Sequence, residues 1–238
     1  MPSEDQLLER HNVGVFGPLE PAALHWLAPR IPAWMTPDIL TAIGCLGAVI
    51  VFFGYALSAY QPHFLWLASL GLIVNWFGDS LDGTLARHRN IERHRYGFYL
   101  DNAVDVAQQI LTAVGFALSG WIRSDLCYLA LASFFAMSVL TLLRARAFST
   151  YQVTYAGFGP TELRVAFIVL NAVIVFVPPK PFALVGWTVT YTDLLSLLWS
   201  ISMLATFTIL MVRDIARLSV EDPLLVDLSK RGTQKIQR

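Results

Sequence analysis

Residues 39–62 read ILTAIGCLGAVIVFFGYALSAYQP and contain no charged side chain. A helix of about 20 apolar residues crosses the hydrocarbon core of a bilayer, so this stretch is long enough to span one. The rest of the chain has a similar character, since 55% of its 238 residues are hydrophobic and only 14% are charged. An ordinary soluble domain has about a quarter charged residues. The composition therefore favours an integral membrane protein, and the net charge of zero gives no indication of a nucleic-acid partner.

Five further uncharged runs follow the first one. They cover residues 64–78, 106–122, 126–143, 165–179 and 194–212. The second and fifth of the six runs are short for a span, and they reach full length only if polar residues at one end lie in the protein interior. Because the backbone must satisfy its own hydrogen bonds in lipid, all six are predicted to be helices. The predicted fold class is all-α, a polytopic membrane protein with six transmembrane helices.

Residues 19–34, ahead of the first span, mix apolar side chains with prolines and polar groups. This pattern predicts an amphipathic helix that lies in the membrane interface. The expected organisation is a cytoplasmic or interfacial N-terminal segment (1–37), a six-helix membrane domain (38–215) and a cytoplasmic tail (216–238).

The basic residues indicate the orientation of the spans. If the N-terminus is cytoplasmic and six spans alternate, only Arg123 and Lys180 of the 17 basic residues fall on the far side. Cytoplasmic loops of membrane proteins carry an excess of Lys and Arg. We therefore expect both termini on the cytoplasmic side. The end of the second span and the beginning of the third are expected on the same side.

Those two span ends carry four of the 17 acidic residues, in the stretch GDSLDGTLARHRNIERHRYGFYLDNAVD (78–105). They are Asp79, Asp82, Asp101 and Asp105. The first pair is spaced by three residues and the second by four, so each pair lies on one face of its helix. Carboxylates near membrane depth are costly unless they are paired or bound to cations. Ligands that are all oxygen suit hard cations, and we predict Mg²⁺ or Mn²⁺, with Ca²⁺ as a competitor.

Small residues accompany the aspartates. Gly83, Ala86 and Gly97 would let a ligand approach the backbone, although small residues in membrane helices also serve helix packing. The guanidinium of Arg87 suits phosphate oxygens. Asn75 stands one helical turn before Asp79 and is expected to help position a nucleotide or a metal ion. A nucleoside diphosphate bridged by metal ions would satisfy all of these groups.

The pattern also matches a family signature at all eight specified positions, Asp79-x2-Asp82-Gly83-x2-Ala86-Arg87-x9-Gly97-x3-Asp101-x3-Asp105. The chain thus resembles the CDP-alcohol phosphotransferase family, over about residues 20–215. The resemblance implies a membrane enzyme of phospholipid biosynthesis that moves a substituted phosphate group from a CDP-linked donor to an alcohol and releases CMP. It also implies that the chain forms a homodimer and that it contacts membrane lipids.

The resemblance further implies roles for single residues. The four aspartates would hold two divalent metal ions, and Asp105 would also accept the proton of the acceptor hydroxyl. The CDP group would be bound by Gly83, Ala86, Arg87, Gly97 and Asn75. An in-line attack of an alcohol on the β-phosphorus needs positioning and charge neutralisation, and it needs no covalent nucleophile.

The choice of substrate depends on weaker likenesses. Residues 32–44 (PAWMTPDILTAIG) resemble the segment that opens the first span in this family, with Asp38 in place of the commoner Asn. The leading stretch and the segment 159–162 (GPTE) resemble the choline/ethanolamine phosphotransferase branch. This likeness implies CDP-choline or CDP-ethanolamine as donor and diacylglycerol as acceptor. The alternative is CDP-diacylglycerol-dependent phosphatidyl transfer to glycerol 3-phosphate, inositol phosphate or another alcohol.

Four polar residues are predicted to line the acceptor pocket: Glu162, Arg164, Arg144 and Arg146. Positive-inside anchoring explains Arg144 and Arg146 equally well. Two other classes of protein remain as alternatives. A membrane cation transporter would place its acids along the spans near mid-membrane, and a non-catalytic scaffold would be expected to lack one of the aspartates.

Overall fold

The computed structural model describes residues 9–10, 19–148, 150–151, 159–184 and 186–222. Within these ranges the chain is almost entirely helical, which confirms the predicted all-α class. Most of residues 1–18 and the predicted tail beyond residue 222 lie outside the described residues. The division into an N-terminal segment, a membrane domain and a tail stays a prediction.

The helices follow one another with short connections. They are α1 (Leu19–Leu27), α2 (Pro37–Ser58), α3 (Phe64–His88), α4 (His94–Ser119), α5 (Ser124–Phe148), α6 (Pro160–Phe176) and α7 (Tyr191–Glu221), with a 3₁₀ turn at Ala28–Arg30. Two small strand pairs accompany them. The strands β1 (Glu9–Arg10) and β2 (Thr150–Tyr151) pair in parallel, while β3 (Phe182–Leu184) and β4 (Trp187–Val189) form an antiparallel pair between α6 and α7.

Local sequence determines where several helices begin and end. Thr36 caps α2 by accepting a hydrogen bond from a first-turn backbone N–H at 3.3 Å, and Pro37 takes the first helical position, which needs no N–H donor. Thr190 and Asp193 form a reciprocal capping box at the start of α7. Gly120 ends α4 with a φ of 75°, in the left-handed region that favours glycine.

Four of the helices, α2, α3, α5 and α7, are long and apolar enough to cross a membrane. The short second run predicted from the sequence reaches full length because α3 continues through the polar residues to His88. The helix α6 has 17 residues, and α4 begins with a charged and polar turn that precedes two aspartates. The structure therefore supports an integral membrane protein with four candidate spans. The helix α1 lies in the segment predicted to be interfacial, and its position in an interface stays a prediction.

The helices α2 to α7 alternate in direction. At one end, the indole N–H of Trp121 donates to Ser58 Oγ at 2.9 Å, and Thr192 Oγ1 donates to the carbonyl of Trp121 at 2.5 Å. These contacts bring together the α2–α3, α4–α5 and α6–α7 connections. At the other end, the Arg89 guanidinium donates to the carbonyls of residues 31, 32 and 35, at 3.0, 2.9 and 2.6 Å, and thereby joins the end of α3 to the beginning of α2.

The helices α2 and α3 pack at very short range along a seam of glycines. A Cβ atom on Gly47 would stand 2.8 Å from the carbonyl oxygen of Gly71 and would overlap the backbone N of Asn75. A Cβ on Gly78 would likewise overlap the backbone of Gly44. Backbones approach this closely only where side chains are absent, as at other small-residue interfaces in membrane proteins. On its other side α2 packs against α4, while α3 contacts α1 and α6.

Two apolar clusters hold this arrangement. In the larger one, Tyr55 of α2 stacks on Phe116 of α4 with ring centroids 3.7 Å apart. The smaller one fixes α1 and its 3₁₀ extension to α2 and α3. It consists of Leu24, Ala28, Leu40, Leu81 and Leu85, all buried.

The glycine seam predicts the effect of one methyl group. Gly47→Ala should destabilise the protein by about 1–3 kcal/mol, because neither backbone can move away without unpacking the seam. Thermal unfolding in detergent measures this effect. Gly97→Ala is the matched control, since no atom lies within 4 Å of its added methyl group and alanine favours the helix. Equal unfolding temperatures for the two variants would contradict the prediction.

Candidate active site

The seam brings the first aspartate pair against α2. A Cβ on Gly44 would stand 3.3 Å from the backbone N of Asp79. One turn further along each helix, Thr41 Oγ1 donates to Asp82 Oδ2 at 2.6 Å, and the backbone N–H of Gly83 donates to Asp82 Oδ1 at 2.5 Å. Both carboxylate oxygens of Asp82 are therefore held in place.

Arg164 of α6 reaches the second carboxylate of the pair. Its Nη2 lies 2.5 Å from Asp79 Oδ2, and its Nε donates to Asn75 Oδ1 at 2.9 Å. The Arg164 and Asp79 side chains are only 12% and 18% exposed. Two fixed donors from one guanidinium define its orientation as well as its position.

Asn75 connects this ion pair to the other helices. Its Nδ2 donates to the carbonyl of Gly44 on α2 at 3.0 Å and to Gln108 Oε1 on α4 at 2.7 Å. Asn75 is 5% exposed, and a buried polar side chain of this kind must keep its partners to avoid a desolvation cost. One amide therefore joins α2, α3, α4 and α6 at the site.

The second aspartate pair lies on α4, across from the first. Asp105 is within electrostatic range of Asp79, Asp82, Asp101 and Arg164, and Asp82 is within range of Asp79 and Asp101. The structure thus brings the four aspartates and one arginine to the same end of the helical bundle. The roles of these residues stay predictions.

The four aspartates offer carboxylate oxygens, which are the ligands that hard divalent cations prefer. Within the described ranges, no three His, Cys, Asp or Glu side chains converge tightly enough to form a finished metal centre. Arg164 and Thr41 instead contact one oxygen each of Asp79 and Asp82. A metal ion at these four carboxylates stays a prediction from the sequence.

The residues predicted to bind the CDP group differ in exposure: Arg87 and Gly97 are exposed, Gly83 and Ala86 are partly buried, and Asn75 is buried. Gly97 is exposed and has no atom within 4 Å of the position that a Cβ would take. Arg87 is exposed and its Nη2 donates to Thr84 Oγ1 at 3.2 Å, while its Nη1 lies 3.3 Å from the Cβ position of Gly83. Ala86 is partly buried. The backbone at Gly97 is open to a ligand. At Gly83, a ligand would also meet the guanidinium of Arg87.

The four residues predicted for the acceptor pocket have different surroundings. Arg164 faces the aspartates, whereas Glu162 is buried and caps its own helix by accepting a hydrogen bond from the backbone N–H of Gly159 at 2.9 Å. Arg144 forms an ion pair with Asp214 of α7 at 2.9 Å, and Arg146 is exposed. Of the four, Arg164 has the clearest geometric case for contact with a ligand.

A cavity of about 370 Å³ lies between α1, α3 and α6, and most of its wall is apolar. Arg164 and Glu20 are the two charged residues among those that line it. The cavity therefore connects an apolar surface to the polar site.

Sequence reasoning missed Glu20, Thr41 and Gln108. Gln108 stands three residues after Asp105, so its shared helix face was a usable signal. Thr41 lies within the segment 32–44 that resembles the family, yet its partner Asp82 is 41 residues away. Glu20 had no usable signal, because its partners lie 56, 60 and 141 residues further along the chain.

Asp38, which stands where the family commonly has Asn, forms an ion pair with Arg93 in the α3–α4 connection. Both side chains are about half exposed, with values of 48% and 53%. An exposed pair of this kind contributes little to stability.

Known proteins are similar to this chain in sequence. A family model for CDP-alcohol phosphatidyltransferase matches residues 34–212. The chain is 23% identical to cholinephosphotransferase 1 of Danio rerio over 158 residues, which cover 64% of this chain and 41% of the relative. It is 34% identical to a phosphatidylinositol phosphate synthase of Cutibacterium acnes over 103 residues, which cover 42% and 44%. An archaetidylinositol phosphate synthase of Pyrococcus horikoshii is 28% identical over 143 residues, which cover 60% and 68%.

The matched region spans only about two fifths of the length of the cholinephosphotransferases, such as the 41% covered in the Danio rerio protein. The similarity is therefore to a part of those proteins.

The amide that joins four helices predicts a loss of stability. Asn75→Ala leaves the buried Arg164 Nε and Gln108 Oε1 without their partner, and should cost about 1–3 kcal/mol. The measurement is thermal unfolding of the purified protein in detergent. Thr208→Ala is the control, because Thr208 is exposed and donates to the Leu204 carbonyl of its own helix at 2.8 Å. An Asn75→Ala protein as stable as the control would show that the network is not structural.

Proposed function

The chain belongs to the CDP-alcohol phosphatidyltransferase family, and from this premise we propose that it transfers a substituted phosphate group from a CDP-linked donor to an alcohol, with release of CMP. The observation that carries the proposal is the convergence of Asp79, Asp82, Asp101 and Asp105 at one end of the bundle, beside Arg164. The product of such a reaction is a phospholipid or a phospholipid precursor.

Asp105 and Arg164 have different roles in the proposed reaction. The acceptor oxygen forms a bond to the β-phosphorus, and the bond from that phosphorus to the bridging oxygen breaks, so that CMP leaves. Asp105 accepts the hydroxyl proton as the new bond develops. Arg164 donates to a phosphate oxygen and is already oriented for this by Asn75. Phosphoryl transfer asks mainly for such positioning and charge stabilisation.

Asp79, Asp82, Asp101 and Asp105 would hold two divalent ions, Mg²⁺ or Mn²⁺. When bound, these ions neutralise charge on the attacking and leaving oxygens. The CDP group would lie over Gly83, Ala86, Gly97 and Arg87, with Asn75 beneath it. The exposed surface at Gly97 supports this placement.

The membrane placement that we propose uses six spans, α2 to α7, with the site and both termini on the cytoplasmic side. The alternating directions of the six helices support this topology. Arg123 lies at the end of the bundle opposite to the site, as the basic residues on the far side should. A homodimer stays a prediction from the family resemblance.

We prefer CDP-choline or CDP-ethanolamine as the donor and diacylglycerol as the acceptor. The likeness to cholinephosphotransferases supports this choice. The alternative, phosphatidyl transfer from CDP-diacylglycerol to an alcohol such as inositol phosphate, is supported by the likeness to inositol phosphate lipid synthases. Either reaction brings a lipid chain to the site, and the apolar cavity beside Arg164 has the walls for one.

A donor panel tests the proposal. The full chain in lipid nanodiscs is incubated with CDP-choline, CDP-ethanolamine or CDP-diacylglycerol, each with diacylglycerol, glycerol 3-phosphate or inositol phosphate. We expect CMP release from one donor class, abolished by EDTA and restored by added Mg²⁺ or Mn²⁺. No CMP release from any combination would contradict the proposal. In that case cation flux into vesicles would test the transporter alternative, and inactivity in both assays would favour a scaffold.

The role of Asp105 gives a second test. Asp105→Asn keeps the size of the side chain but removes the proton acceptor, so CMP release should fall by about 10²-fold or more. The thermal unfolding temperature should stay close to that of the parent protein. Asp125→Asn is the matched control, because Asp125 is exposed at the opposite end of the bundle and pairs with Arg123. An Asp105→Asn protein with full activity would remove Asp105 from the reaction.

A further inference from the structure

Glu20 of α1 lies outside the family signature, and its contacts give it a specific place beside the site. Its Oε1 accepts three hydrogen bonds, from Trp76 Nε1 at 2.9 Å, Ser80 Oγ at 3.1 Å and Thr161 Oγ1 at 2.7 Å. Hydrogen bonds to an ionised oxygen are about twice as strong as those between neutral groups. One carboxylate oxygen thus joins three helices.

The partners of Glu20 bracket the ion pair of the site. Ser80 directly follows Asp79 on α3, and Trp76 precedes Asp79 by three residues. Thr161 precedes Arg164 by three residues on α6, so the two lie on one face of that helix. A fixed spacing between Ser80 and Thr161 therefore helps to set the distance between the backbones that carry Asp79 and Arg164.

Docking of α1 has another cause. Leu24 and Ala28, which are 8% and 2% exposed, pack with Leu40, Leu81 and Leu85. Apolar burial of this kind holds a short helix without any carboxylate. Glu20 is only partly buried in the wall of the cavity, and its Oε1 accepts from donors on two other helices, which indicates a task beyond anchoring α1.

We propose that Glu20 is a positioning residue, which sets the α3–α6 spacing and so holds Arg164 in the orientation that receives the phosphate group of the substrate. The proposal rests on the proposed transferase function. It assigns to α1 a part in substrate binding that acts through Arg164 and not through contact with the reacting atoms.

The test is a double-mutant cycle in the full chain in nanodiscs, with CMP release as the readout. Glu20→Ala should lower kcat/KM by about 10-fold or more, chiefly by raising KM for the same substrate whose KM rises in Arg164→Lys. Glu20→Gln keeps an acceptor oxygen and should recover most of the loss. In the Arg164→Lys background, Glu20→Ala should cost less than about 3-fold, because the two residues act as one unit.

Two controls separate positioning from docking. Leu24→Ala loosens α1 without touching the acceptor oxygen, and should lower the unfolding temperature while leaving KM unchanged. Glu92→Ala removes an exposed carboxylate and should change neither quantity. A rise in KM with Leu24→Ala equal to that of Glu20→Ala would overturn the proposal, as would full activity of Glu20→Ala.

Equal fold-losses from Glu20→Ala in both backgrounds would also overturn it. If Glu20→Ala does not fold, the cycle is run with Glu20→Gln, and additive effects on KM have the same meaning. Absence of CMP release from the parent protein is a failure of the proposed function. In that case the unfolding temperatures of the same four proteins form a second cycle, in which non-additivity supports the role of Glu20 and additivity contradicts it.

Discussion

The close approach of α2 and α3 is the constraint on which the remaining structure depends. Glycines face glycines along the seam, and the two backbones come within a distance that a single Cβ would prevent. Because of this approach, Thr41 reaches Asp82 and the carbonyl of Gly44 reaches Asn75. The glycines, which have no side chains, thus allow the short hydrogen bonds that position the polar groups of the site.

The polar groups at the site form a connected network. Asn75 and Arg164 bridge helices that are distant in sequence, and each of their hydrogen bonds replaces one that water would otherwise supply. Buried networks of this kind specify one arrangement of the helices when all members have partners. The same side chains therefore supply the polar groups that the proposed transferase reaction needs and hold the helices of the bundle in one arrangement.

Much of the fold was predictable from the sequence, because uncharged runs as long as residues 39–62 have few alternatives to membrane helices. The convergence of the aspartates was predictable as well, since their spacing and the short α3–α4 link restrict where the carboxylates can lie. The helix α4 was harder, because its first half carries polar and charged residues, several of them exposed, and therefore lacks the apolar run that identifies a span. The partners of Arg144 and Glu20 were beyond sequence reasoning, since Asp214 and Thr161 are neighbours only in the folded chain.

Arg89 has a consequence for how the site could open. Its guanidinium donates hydrogen bonds to three carbonyls of the segment that leads into α2. These bonds fix the end of α3 to that segment. The glycine seam already locks the two helices along their lengths. The α2–α3 pair is therefore joined both at its end and along its length, and a rearrangement that widens the site would have to move α1, α4 or α6 relative to this pair.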